Sequence, residues 1–149
     1  MTPFDIAFSF LGTTEVPGPQ HNPLIVGLVG MAVPWVKDDE TAWCGGFCGG
    51  ICKIAHQPMP DNPLGARQWL TVGTPVKFED AFPGHDIVIL KRGTGSQPGP
   101  DVLHASGHVG FFVGPFGYDR VLVLGGNQSN KVSIGQFPVE DILGIRRLC

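Results

Sequence analysis

Charge is scarce in this chain and nowhere concentrated: charged residues make up 15% of its 149 positions, and no block of lysine or arginine occurs. With a net charge of -3 and a pI near 5.9, it lacks the electrostatic footprint that nucleic acid or an anionic membrane surface requires. Long apolar runs are missing too. None approaches the roughly 18 residues that cross a bilayer, which excludes membrane insertion through a helix. Met1-Thr2-Pro3-Phe4-Asp5 has neither a basic n-region nor a cleavage site, so synthesis in the cytoplasm without a signal peptide is expected. The four cysteines include no C-x2-C pair, the spacing that zinc and iron-sulfur sites commonly draw on. Without an export signal they are expected to be reduced thiols rather than a disulfide framework.

What is present is one compositional zone, 42% hydrophobic, sufficient to bury a core and expected to form a single domain over residues 1–149 with no linker. The 22 glycines and 14 prolines punctuate apolar segments rather than polar ones, which points to a loop-rich α+β domain. Thr2-Pro3-Phe4-Asp5 carries the cap, N1 proline and acidic N3 residue of a helix start, running to about Leu11 before Gly12. Asn22-Pro23 repeats the signal ahead of Leu24–Val29. A third helix runs from Cys44 to about His56, and a fourth carries Ala66, Trp69 and Leu70. Strands follow at residues 86–91, 108–113, 120–124 and 132–137, each short, β-branched or aromatic and bounded by Gly, Pro or Asn. A helical turn at residues 138–143 precedes a last strand near Ile145. Short turns between successive strands imply an antiparallel sheet with the Cys44 helix laid across one face.

Cys44, Cys48 and Cys52 recur every fourth residue and share one helix face. Cys48 and Cys52 read as small core hydrophobes. Cys44 stands at the helix start, where amide N–H groups and the positive end of the dipole favour a thiolate. The four glycines at 45, 46, 49 and 50 each cost about 1 kcal/mol of helix stability relative to alanine, a cost explained if the helix backbone presses closely on the sheet. His108 opens an apolar strand, a setting none of the other four histidines shares, and is placed to take a proton from a thiol. The strand Val121–Leu124 ends in Gly125-Gly126-Asn127-Gln128, offering an amide to orient the imidazole. Asn127 is also an ordinary turn residue.

Trp43-Cys44 opening a glycine-rich helix, Pro83-Gly84-His85-Asp86-Ile87-Val88, Gly107-His108-Val109-Gly110 and Leu124-Gly125-Gly126-Asn127-Gln128 occur in this order. Together they resemble the CHAP and NlpC-like cysteine amidase/peptidase superfamily, and more closely a phage and bacterial branch of it. Leu11–Gly18, Asn22-Pro23 and Leu143–Arg146 extend the resemblance over nearly the whole chain. It implies an α+β, papain-like fold with N-terminal helices packed on a central antiparallel β-sheet. It implies a nucleophile at Cys44, a base at His108, an orienter at Asn127 and no cofactor. The partner implied is bacterial cell-wall peptidoglycan, whose amide bonds an endolysin-like amidase or endopeptidase cleaves. Delivery would be through a holin lesion, a phage tail or a secretion machine, by a monomer or as part of such an assembly. Trp43, Trp69, Glu15 and Gln128 are expected to border the substrate, together with Phe112 and His21. The sequence departs from the pattern at His85, which intrudes between Gly84 and Asp86. It departs again at Gly125-Gly126, where many CHAP enzymes place an acid, so that Asn127 or Gln128 must act alone as the orienter. Three other readings stay open: a non-catalytic virion or tail component retaining the fold, a zinc amidase using His104, His108 and a cysteine, and calcium at Asp38-Asp39-Glu40, a segment equally suited to complementing a helix start.

Overall fold

The computed structural model describes residues 1–16, 21–36, 43–93 and 95–149, so Asp38, Asp39 and Glu40 lie outside the described residues. The capping box forms between Thr2 and Asp5 and opens α1, Pro3–Phe8. This helix stops short of Leu11 because the Ser9 hydroxyl donates to Ile6 O at 2.6 Å and the Gly12 N–H turns away to Val132 O in the sheet. The Asn22 side chain accepts from Leu24 N and starts α2, Pro23–Ala32. Helix α3, Cys44–Ala55, ends where His56 adopts a left-handed φ of 55°. The fourth expected helix is a 3₁₀ segment, Ala66–Thr71.

Among the described residues six strands make one antiparallel sheet: β1 Thr74–Pro75, β2 Asp86–Lys91, β3 Gly107–Phe116, β4 Arg120–Gln128, β5 Lys131–Pro138 and β6 Ile142–Arg147, in the order β1-β6-β2-β3-β4-β5. The expected α+β class and antiparallel sheet are both present. β1 carried no sequence signal, since two residues have no period, and β3 and β4 run past their expected ends. β3 continues through Gly114-Pro115 by way of an irregularity in its pairing with β4 between Phe112 and Gly114.

Helix α3 is buried throughout its first nine residues, wedged between α2 and strands β3 and β4. Its glycines are there for contact, but with α2 and the Pro63-Leu64 segment rather than with the sheet as expected, because the helix turns its glycine face away from the strands. A Cβ on Gly45 would strike the carbonyl of Pro63 and one on Gly50 the carbonyl of Leu28, so a side-chain-bearing helix would not fit the slot. The main core fills the helical face of the sheet and contains Trp43, Phe47, Trp69 and Phe111. A smaller core on the opposite face joins Val88, Leu90, Phe112, Val121, Val123 and Ile145. Buried Asp86, the acid of the Pro-Gly-His-Asp segment, pairs with Arg147 at 2.6 and 2.7 Å and fastens β6 to β2. His85 uses its carbonyl to accept from Leu148 N at 3.0 Å. Among the described residues no helix is long and apolar enough to cross a membrane.

Candidate active site

Cys44 is the first residue of α3, and its neighbour Trp43 supplies no side-chain acceptor to the first turn. Trp43 is held instead by Glu15, whose carboxylate accepts from the indole N–H at 2.6 Å, and by edge-on packing with Phe47. The start of the helix is thereby pinned while its N–H groups keep their donor capacity. His108 reaches the same point from the second residue of β3, close enough for its imidazole to bear on the Cys44 thiol. Cys44 is 3% exposed and His108 6%.

The imidazole is clamped from two sides. Phe137 stacks on it at 5.3 Å between ring centroids, and Gln128 Oε1 lies 2.8 Å from His108 Nε2. The amide of Gln128 is itself oriented, because its Nε2 donates to Ser133 O at 2.7 Å and to Val123 O at 3.2 Å. Two carbonyls facing the nitrogen leave the oxygen facing the ring. An amide oxygen only accepts, so His108 Nε2 carries the proton and Nδ1 is left for the thiol.

Gln128 holds this position rather than the expected Asn127 because β4 bulges. Gly125 pairs with Ser133 and Gln128 with Lys131, so β4 spends one more residue than β5 over the same span. In an even strand Gly125 and Asn127 would share a face; the extra residue gives that face to Gln128, and Asn127 takes a left-handed φ of 56°. The two glycines before it have tasks of their own. A Cβ on Gly125 would run into Gln128 Oε1 and come within 3.3 Å of His108 Nε2, and one on Gly126 would strike Trp43 and Phe47. An acid at either position would displace the contact it was expected to support.

Burial is the strongest single influence on the Cys44 thiol and pushes it up. The hydrogen bond and charge of His108, a hydrogen bond with the Val109 backbone and the charge of Arg92 together outweigh it, so the thiol lies below its ordinary value. On one side Cys44 borders a hollow of about 240 Å³ lined by Leu64–Ala66, Arg92 and His104–Gly107. His108 and Gln128 border a groove of about 630 Å³ running along β5, and Arg92 lines both. The wall of the smaller hollow is secured by Arg67, a buried residue whose guanidinium donates to the carbonyls of Ser106 at 2.9 Å, Gly99 at 2.7 Å, Val102 at 3.1 Å and Pro98 at 3.0 Å.

The structure therefore brings together Cys44, His108 and Gln128, with Asn127 on the groove rim. It does not bring Trp43, Trp69, Phe112 or Glu15 to either hollow. Trp43, Trp69 and Phe112 are core residues, as large aromatics usually are, and Glu15 braces Trp43. His104 lies exposed at the edge of the smaller hollow, and no group of three metal-ligating side chains forms among the described residues, so His104, His108 and a cysteine are not gathered as a donor set. Phe137, Arg67 and Arg92 went unnoticed in the sequence, where each looks like an ordinary strand or surface residue. No model of a protein family matches the chain, and no curated protein sequence matches it.

Proposed function

We propose that this chain is a cysteine hydrolase of papain-like fold that cleaves amide bonds in bacterial peptidoglycan. The observation that carries the chemistry is the relay from the oriented Gln128 amide through the His108 ring to a thiol held below its ordinary value. The substrate class rests on the resemblance of the Trp-Cys, Gly-His-Val-Gly and Leu-Gly-Gly-Asn-Gln segments to the CHAP and NlpC-like enzymes.

In this reading His108 Nδ1 takes the Cys44 proton and the sulfur attacks the amide carbonyl, forming a C–S bond. The developing oxyanion accepts from the backbone N–H groups at the start of α3, an interaction worth about 10²–10³ in rate per donor in comparable sites. The imidazolium, steadied by Gln128, then gives its proton to the departing amine as the C–N bond breaks. Water, deprotonated by His108, hydrolyses the thioester and restores the thiol. Action on the wall follows delivery through a holin lesion, a phage tail or a secretion machine.

The test is digestion of purified sacculi, with mass spectrometry of the released muropeptides. Wild-type protein is expected to release fragments that name the bond, and Cys44→Ala to release none. Equal release by both proteins, or by neither, overturns the hydrolase reading, and the second result would favour a non-catalytic virion component.

A further inference from the structure

Cationic side chains gather on one side of a molecule whose net charge is -3. The groove beside His108 is lined by Lys91, Arg92 and Lys131 against a single acid, Asp141. Arg92 is the residue this groove shares with the hollow that holds Cys44. β2 ends at Lys91, which pairs with Gly107, so Arg92 follows directly beside the strand start that carries His108. It is exposed and holds no hydrogen bond or ion pair with any described residue, while its charge is felt at Cys44. Besides Arg92, Cys44 and His104, the described residues that line the smaller hollow are uncharged. By contrast Arg67, Arg146 and Arg147 all spend their donors on the protein itself. A guanidinium left uncommitted at the junction of two hollows, one with the nucleophile and one with the base, presents a forked donor to whatever lies across the site.

We propose that Arg92 anchors a carboxylate of the substrate, so that the acyl donor is an acidic peptide bearing a free carboxylate close to the scissile amide. This rests on the hydrolase reading and names its substrate class. Lys91 and Lys131 extend the same preference along the groove, and a neutral or amidated peptide is the disfavoured ligand.

Alkylation separates this role from a mere effect on the thiol. Iodoacetate carries a carboxylate and iodoacetamide does not, and both consume the same thiolate. A change in thiolate population therefore cancels in the ratio of their rates. Modification is read at Cys44 by peptide mapping, with exposed Cys149 as a reference on the same molecule. Arg92→Gln is expected to lower the iodoacetate-to-iodoacetamide ratio at Cys44 about tenfold, the size of one charge-assisted contact, and to leave Cys149 unchanged; Arg92→Lys restores part of it. In hydrolysis, the same substitution is expected to raise KM about tenfold for a peptide with a free carboxylate and to leave KM for its carboxamide unaltered. A ratio that stays constant while both rates fall means that Arg92 acts on the thiolate alone, and it overturns the anchor with the hydrolase reading intact. Failure of the wild-type protein to release muropeptides sinks the hydrolase reading, whereas the alkylation ratio still reports on the anion site.

Discussion

Cys44 and Cys52 lie two turns apart on one helix, both buried, and their thiols are driven in opposite directions. Cys52 is pushed up to about 12 from 9.0 by burial alone. Cys48 lies between them, its thiol raised well above the ordinary range by burial first and then by the neighbouring thiols, and its S–H donates to the Val109 carbonyl at 3.9 Å. Cys44 bears the same penalty, yet its thiol is lowered. What separates Cys44 from the other two, besides its place at the helix start, is what the rest of the fold brings to the first turn: an oriented imidazole, a backbone donor and a guanidinium. A thiol in a core is inert until partners of the right charge offset the cost of burying its anion.

The comparison breaks most completely at His108. His108→Ala is expected to lower the proposed peptidoglycan hydrolysis by about 10³–10⁴, and to move the alkylation profile of Cys44 towards that of Cys52. Retention of rapid Cys44 alkylation at neutral pH in this variant would assign the lowered thiol to the helix start instead. Removing the support behind the ring has a smaller effect. Gln128→Leu is expected to cost about tenfold to a hundredfold in kcat/KM through loss of the fixed tautomer, as the loss of other ring-orienting partners does. Asn127→Ala serves as its control, with a change under about twofold expected for a residue that touches neither reacting group. Reversal of these two effects would mean that the bulge in β4 does not decide the orienter.

The pH dependence sharpens the contrast in a third way, because the signs differ. For Cys52 the folded state keeps its proton to about 12 while the unfolded chain loses it near 9.0. The folded state then binds more protons, and stability present below pH 9 is lost as pH rises towards 12, at up to about 1.4 kcal/mol per pH unit. For Cys44 the folded state releases its proton first, so its contribution grows as pH rises from the folded value to the unfolded one and is complete above it. Urea unfolding between pH 9 and 11 is expected to show a shallower loss in Cys52→Ala than in the parent protein. The smallest effect belongs to the brace. Glu15→Gln is expected to cost about 1 kcal/mol, one charge-assisted hydrogen bond made neutral, visible as a lower midpoint in thermal unfolding and leaving the Cys52 alkylation profile where it was.

Much of the helical framework around Cys44 was legible in the sequence alone. Thr2-Pro3-Phe4-Asp5 and Asn22-Pro23 are local hydrogen-bonding signals, and both open helices where expected. The glycines of the Cys44 helix predicted close backbone approach, which the Pro63 and Leu28 carbonyls make concrete. The aromatic residues misled for the opposite reason: Trp43 and Trp69 have the composition of a groove wall and of a core alike, and only packing separates the two. Arg67 and Arg92 look the same in the sequence. One is buried under four carbonyls and the other exposed with its donors uncommitted, because the loop after β2 folds back over the first and leaves the second at the edge.

Local chemistry in the chain determined that a cysteine would open a buried helix and that a histidine would open an apolar strand, since capping, glycine content and two-residue alternation act over a few positions. Which amide meets the histidine was decided by the tertiary structure. That choice depends on one extra residue in β4 relative to β5, and register between two strands is a property of their pairing, invisible in either strand by itself. The same holds for the thiol: its place on the helix is written in the spacing of the cysteines, whereas its ionisation is set by burial and, against it, by His108, the Val109 backbone and Arg92, which come together around it only once the sheet has formed.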